Sequence, residues 1–172
     1  MYVDLTDVLR APGSTTEKPI NIAPGMLDDI EVVEPIYGRV RVTNARQSLV
    51  VEGSAQGAVT MQCARCLNSY AQPVELELEA NASLSYFRGL LVGAQPSEDD
   101  EEDEADDELA AIFDANSLDA LELVRQAIVL QTPPKPLCSP DCPGLPEAAK
   151  YMSSDTSDAR WESLKDWNEQ KE

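Results

Sequence analysis

From Val74 onward the even positions are Val74, Leu76, Leu78, Ala80, Ala82, Leu84 and Tyr86, while the odd ones are Glu75, Glu77, Glu79, Asn81, Ser83 and Ser85. A period of two gives one face to a core and the other to water. The segment is therefore predicted to be a strand in an antiparallel sheet with one solvated face. Upstream, between Glu31 and Phe87, short β-branched and apolar runs are punctuated by Gly38, Asn44, Gly53, Gly57 and Pro73, which predicts further strands. In one of them Val59, Met61 and Cys63 share a face opposite Thr60 and Gln62, so Cys63 emerges at a strand end.

Further along, the period changes. Ile112, Phe113 and Asp114 suggest a short edge strand, followed by a helix with Ser117 as its N-cap and Asp119 in the favourable first turn. Leu118, Leu121, Val124 and Ile128 fall at helical spacing opposite Asp119, Glu122, Arg125 and Gln126, so this helix is expected to pack on the sheet. The run Thr132-Pro133-Pro134-Lys135-Pro136 ends it, because proline lacks the N–H and restricts the residue before it. Residues 153–156 read as a linker, and Ser157 to Gln170 as a short amphipathic helix with Trp161, Leu164 and Trp167 on one side. The expected fold is α+β: a largely antiparallel β-sheet with one packed helix, an acidic flexible insert and a short C-terminal helix. Residues 1–152 form a single β-rich domain interrupted by the insert at 95–108, and residues 153–172 form the linker and final helix.

Charge adds information about partners. The net charge of the 172 residues is -19, distributed unevenly. Residues 1–35 carry seven acids and two bases, residues 36–97 four acids and five bases, and residues 98–172 twenty-one acids and six bases. Between Glu98 and Glu108, ten of eleven residues are acidic, too much like charge for a packed element. Such a chain is repelled by bulk nucleic acid and attracted to basic surfaces. Only the middle third offers cations for RNA, and Arg39, Arg41 and Arg65 are the candidate phosphate contacts. No apolar run approaches the ~20 residues of a membrane span, and the opening residues lack the basic and apolar regions of a secretory signal. The expectation is a cytoplasmic protein without a membrane partner. No histidine, Gly-x-Ser-x-Gly elbow or phosphate-binding glycine loop is present, so neither catalysis nor a small-molecule substrate is expected.

All four cysteines fall in two close pairs, Cys63-Ala64-Arg65-Cys66 and Cys138-Ser139-Pro140-Asp141-Cys142. Zinc takes four thiolates in a tetrahedron, and a C-x2-C turn presents two of them to one ion. With no histidine available, the four cysteines make a complete structural zinc site. Two other readings stay open at this point: reduced thiols that merely pack, and thiol–disulfide exchange at Cys63 and Cys66. Stable disulfides are disfavoured in the cytoplasm, and a redox C-x-x-C normally sits at a helix N-terminus rather than between two strands.

Taken in order, Cys63-Ala64-Arg65-Cys66-Leu67 after short strands, the acidic insert, the helix ending Leu130-Gln131-Thr132-Pro133-Pro134, the segment Pro136-Leu137-Cys138 through Cys142-Pro143-Gly144-Leu145, and the tail Ser157 to Lys165 resemble the YceD family of large ribosomal RNA subunit accumulation proteins. The resemblance implies a role in the synthesis, processing or accumulation of large-subunit ribosomal RNA, without an assigned catalytic activity. Many members carry a further cysteine pair after Gly-Leu, where this chain has Pro146 and Ala149. Two binding modes are compatible with that role: capture of a basic ribosomal protein or assembly factor by the acidic surface, or direct contact of the arginines with RNA.

Overall fold

The computed structural model describes residues 1–84, 87, 111–114, 116–145 and 147. The acidic insert and the tail tryptophans lie outside these residues. Four strands form an antiparallel meander: β2 (Thr15–Ile22), β3 (Val32–Asn44), β4 (Ser48–Gln62) and β5 (Ser69–Ser83), in the spatial order β2-β3-β4-β5. A smaller antiparallel sheet, ordered β1-β7-β6, joins β1 (Tyr2–Asp4), β7 (Ser117–Asp119) and β6 (Phe113–Asp114). Helix α1 (Thr6–Arg10) follows β1, and α2 (Ala120–Gln131) follows β7.

The alternation predicted from Val74 appears in β5 as far as Ser83, where the strand ends before Leu84, and residues 85 and 86 lie outside the described residues. Leu76, Leu78 and Ala82 are buried, Val74 and Ala80 are half-buried, and every odd position from Ser69 to Ser83 is exposed. The inner face continues through Ala55, Val51 and Leu49 of β4 and Val40 and Val42 of β3, all in one apolar cluster. Prolines sit where a ladder tolerates them. Pro19 and Pro73 lie in the two edge strands, and Pro35 lies within the β3 segment whose register shifts between Val32, Glu34 and Tyr37. A Cβ on Gly38 would overlap the Ser54 carbonyl, so only glycine permits the close approach of β3 to β4 there.

Helix α2 begins later than the sequence pattern predicts. Asp119, not Ser117, is the N-cap, accepting a hydrogen bond from Leu121 N–H at 2.9 Å, and Ser117–Asp119 is a strand paired with β1. The physical reason is long-range: Val3 lies opposite Leu118, and this pairing overrides the local helix-start signal. The buried face is accordingly Ala120, Leu123, Val124, Ala127 and Ile128, with Leu121 only half-buried and Leu118 buried from the strand. The face packs on β5. Beyond it, Thr132 caps the helix with its N–H on the Ile128 carbonyl, and Pro133 and Pro134 redirect the chain. The short strand expected at residues 112–114 is β6, an edge of the small sheet, where Phe113 meets Phe87 edge to face at 5.3 Å.

Candidate metal centre

The connection from β4 to β5 is the first cysteine loop. Cys63 N–H donates to the Asn68 carbonyl at 2.9 Å and Leu67 N–H to the Cys63 carbonyl at 2.9 Å, closing a turn in which Leu67 takes a positive φ of 60°. The second loop follows α2. Its proline-rich lead brings Pro136 beside the hairpin tip, where the Pro136 carbonyl accepts from Ala64 N–H at 2.8 Å. Within this loop Cys142 N–H bonds the Ser139 carbonyl at 3.1 Å, and Gly144 turns the chain with φ 81°.

These loops bring all four predicted cysteines together, with their sulfurs within 4.8 Å of one another. Cys63 and Cys142 Sγ are 3.8 Å apart, as are Cys66 and Cys138 Sγ. A disulfide requires about 2.05 Å. Four sulfurs about 2.3 Å from a central ion would stand about 3.8 Å apart along tetrahedral edges. The donor set and spacing thus fit a metal ion held by four thiolates. Cys63 and Cys142 are buried, Cys66 is half-buried and Cys138 is exposed, so the cluster has a closed and an open side.

Electrostatics favour a thiolate at the closed side. N–H groups of Cys138, then Cys66 and Arg65, point at Cys63 and hold its thiol down at about 6 against the opposing effect of burial. At Cys66 the Asn68 N–H lowers the pKa, but burial and the sulfurs of Cys63 and Cys142 outweigh it and the thiol is raised. Cys138 is pushed up to about 12, chiefly by the sulfurs of Cys142 and Cys63. Four sulfurs this close cannot all ionise without a cation among them. The Tyr70 hydroxyl is buried without a partner among the described residues, and burial, then Cys63 and Cys138, raises its pKa. Tyr70 is opposite Met61 in the β4–β5 ladder, ahead of Pro73, where the sequence pattern reads as a break, and no motif singles it out.

The candidate arginines are divided between two places. Arg39 and Arg41 lie on the outer face of β3 and share Glu17 of β2, at 3.5 and 2.8 Å. Arg65 lies in the first cysteine loop, and its Nη1 donates to the carbonyls of Pro140 and Cys142, each at 3.1 Å. The three candidate phosphate contacts thus fall at two separate places, Arg39 and Arg41 in the middle of the sheet and Arg65 at the β4–β5 connection.

Over residues 51–167 the sequence matches the profile of the large ribosomal RNA subunit accumulation protein YceD. The chain belongs to the YceD family. Uncharacterized proteins of Mycobacterium tuberculosis and Mycobacterium bovis are 26% identical to it over 168 residues, covering 94% of this chain and 72% of theirs. No solved structure matches. The match includes both cysteine loops of this YceD-family chain and the helix between them, which ties the cluster to the family's own segment. Among the described residues no helix is long and apolar enough to cross a membrane.

Proposed function

We propose that this YceD-family protein supports the synthesis, processing or accumulation of large-subunit ribosomal RNA by binding rather than by catalysis, and that Cys63, Cys66, Cys138 and Cys142 hold one structural zinc ion. All-sulfur tetrahedral sites belong to zinc or iron, and a closed four-cysteine shell without an open ligand position is the structural zinc arrangement. The site of action is the cytoplasm, where large-subunit RNA is assembled.

The outer sheet face favours one partner class. Arg39 and Arg41 share the Glu17 carboxylate and Arg41 also faces Glu52 across the ladder, leaving no net positive charge there, and Arg65 is engaged with backbone carbonyls. On the same outer face Glu75, Glu77 and Glu79 are exposed and meet no cation at ion-pair distance among the described residues. Glu79 even stands opposite Glu52 in the ladder, a like-charge juxtaposition that destabilises a sheet. An open groove of about 770 Å³ runs over Tyr37, Arg39, Ser54, Gln56, Glu75 and Glu77. This surface suits a basic segment of a ribosomal protein or assembly factor better than a phosphate backbone, so contact with ribosomal RNA is indirect. That imbalance of charge is the observation that carries the reading.

Two titrations at near-physiological salt test it, one with large-subunit RNA fragments and one with basic large-subunit proteins. Binding to the basic protein is expected to be the tighter and to survive Arg39→Glu combined with Arg41→Glu. Tight binding of naked RNA, abolished by that double change, would overturn it in favour of an arginine RNA site. Metal analysis of protein purified without chelator is expected to find about one zinc per chain, and four freely titratable native thiols would refute the zinc assignment.

A further inference from the structure

The two cysteine loops come from distant parts of the chain, with 71 residues between Cys66 and Cys138, and few bonds cross between them. One is backbone to backbone, from Ala64 N–H to the Pro136 carbonyl. Besides this one, the Cys138 N–H is directed at Cys63 and the sulfurs approach each other in two pairs. Among the described residues, the only side-chain bonds to oxygen that cross come from one residue. The Arg65 backbone N–H points at Cys63 Sγ at 3.5 Å, while its Nη1 donates to the Pro140 and Cys142 carbonyls at 3.1 Å each. The Gly144 turn passes beneath the same residue, with a Cβ there falling 3.6 Å from the Arg65 carbonyl oxygen, an ordinary contact.

We propose that Arg65 is a positioning residue that braces the two cysteine loops against each other and sets the rate at which the metal leaves. The inference rests on the metal reading of the four cysteines. Nη1 carries two N–H groups at a fixed angle in a rigid plane, so a single nitrogen holds two carbonyls of the second loop in a defined relation to the first. One of those carbonyls belongs to Cys142, a buried cysteine, the other to Pro140 two residues before it, and the Arg65 amide faces Cys63, the other buried one. The brace therefore acts on the closed pair. Cys138 and Cys66, on the open side, are the first that a chelator reaches. Complete release then requires Cys63 and Cys142 to separate, which the guanidinium opposes. A second consequence is electrostatic: four thiolates on a divalent ion leave a net charge of -2, and the guanidinium is the cation that the loops themselves supply.

The test uses the full chain loaded with cobalt, whose thiolate charge-transfer absorption reports the site, and follows its loss to excess EDTA. Arg65→Met is expected to bind one cobalt with the same spectrum and to release it about tenfold faster, the lower end of the range for residues that support metal ligands, because the guanidinium is exposed. Arg65→Lys, which keeps the charge but loses the planar fork, is expected to fall between, and Arg41→Met to match the unmodified protein. Thermal midpoints of the metal-free forms should coincide for Arg65→Met and the unmodified chain, since a general structural role would lower both states. Equal release rates for Arg65→Met and the unmodified protein, with cobalt bound in each, would overturn the brace alone. Absence of thiolate charge transfer in the unmodified protein would instead overturn the metal reading and the brace with it.

Discussion

At the scale of single residues, the side chains that organise this fold are polar ones placed where the chain turns. Asn44 is 1% exposed at the end of β3, and its side chain serves two neighbours. Nδ2 donates to the Val8 carbonyl at 2.7 Å and Oδ1 accepts from Arg46 N–H at 2.9 Å, while its backbone bonds Gly13 and Ser14. It thereby fixes α1 and the approach to β2 against the β3–β4 turn. Asn44→Ala leaves the Arg46 N–H without its acceptor and the Val8 carbonyl with the Ser14 hydroxyl alone. Two hydrogen bonds are lost, each worth about 0.5–1.5 kcal/mol, and a loss of about 1–3 kcal/mol is expected in urea unfolding of Asn44→Ala, with an unchanged m-value. A loss under about 0.5 kcal/mol, typical of ordinary surface positions, would show that the turn holds without it. The same scale sets the limit of what spacing reveals at the metal centre. Two cysteine pairs are visible in the sequence, but nothing in Cys63-Ala64-Arg65-Cys66 tells that Arg65 folds back onto the second loop.

At the scale of elements, legibility follows the solvent. β5 could be read residue by residue because one face meets the core and the other meets water. The opposite edge strand, β2, could not, since only Ile20 and Ile22 of its eight residues are buried and it contains Lys18 and Pro19. β1 and β7 are three residues long and exist through pairing with each other across the chain, so local pattern misplaced the start of α2. Paired substitutions in β5 separate the faces. Leu78, 0% exposed, is expected to lose about 2–5 kcal/mol on change to alanine. Glu79→Gln, which removes the repulsion from Glu52, is expected to be neutral or stabilising by a few tenths, about the value of one cross-strand pair. If both changes cost alike in urea unfolding, the face assignment fails. In α2, Glu122 holds Arg125 at 2.6 Å, and that hydrogen bond, opposed by partial burial, depresses the Glu122 pKa. A depressed carboxylate contributes stability above its unfolded pKa of about 4.3 and loses it as pH falls through the folded value. Glu122→Gln is thus expected to lower the thermal midpoint at pH 7 and to leave it unchanged near pH 2. An equal deficit at both pH values would assign the effect to shape and not to charge.

At the scale of the whole molecule, the sheet and helix do not depend on the cysteines for their burial, but the joining of their far ends does. The apolar cluster runs from Val3 through the meander to Ile128 and excludes all four sulfurs, so the core is expected to persist without metal. Bringing the second loop onto the hairpin tip closes a 71-residue connection, worth about 4 kcal/mol in chain entropy, against roughly 10–16 kcal/mol for structural zinc near neutral pH. Removal of the ion under reducing conditions is therefore expected to detach the two loops while the strands stay paired. Far-UV circular dichroism should change little. Exchange of the Ala64 and Cys142 amides, whose hydrogen bonds belong to the loops, should accelerate, and that of the Leu78 amide should not. A ligand present at about 1,000 times its dissociation constant adds roughly 4 kcal/mol, and in a chain of this size each kcal/mol moves the midpoint by about 2–4 °C. The midpoint is thus expected to drop by about 8–16 °C on chelation and to return with added zinc. Global unfolding on chelation would mean that the cysteine cluster is the keystone of the core, and an unchanged midpoint with unchanged loop exchange would mean that no metal supports the structure.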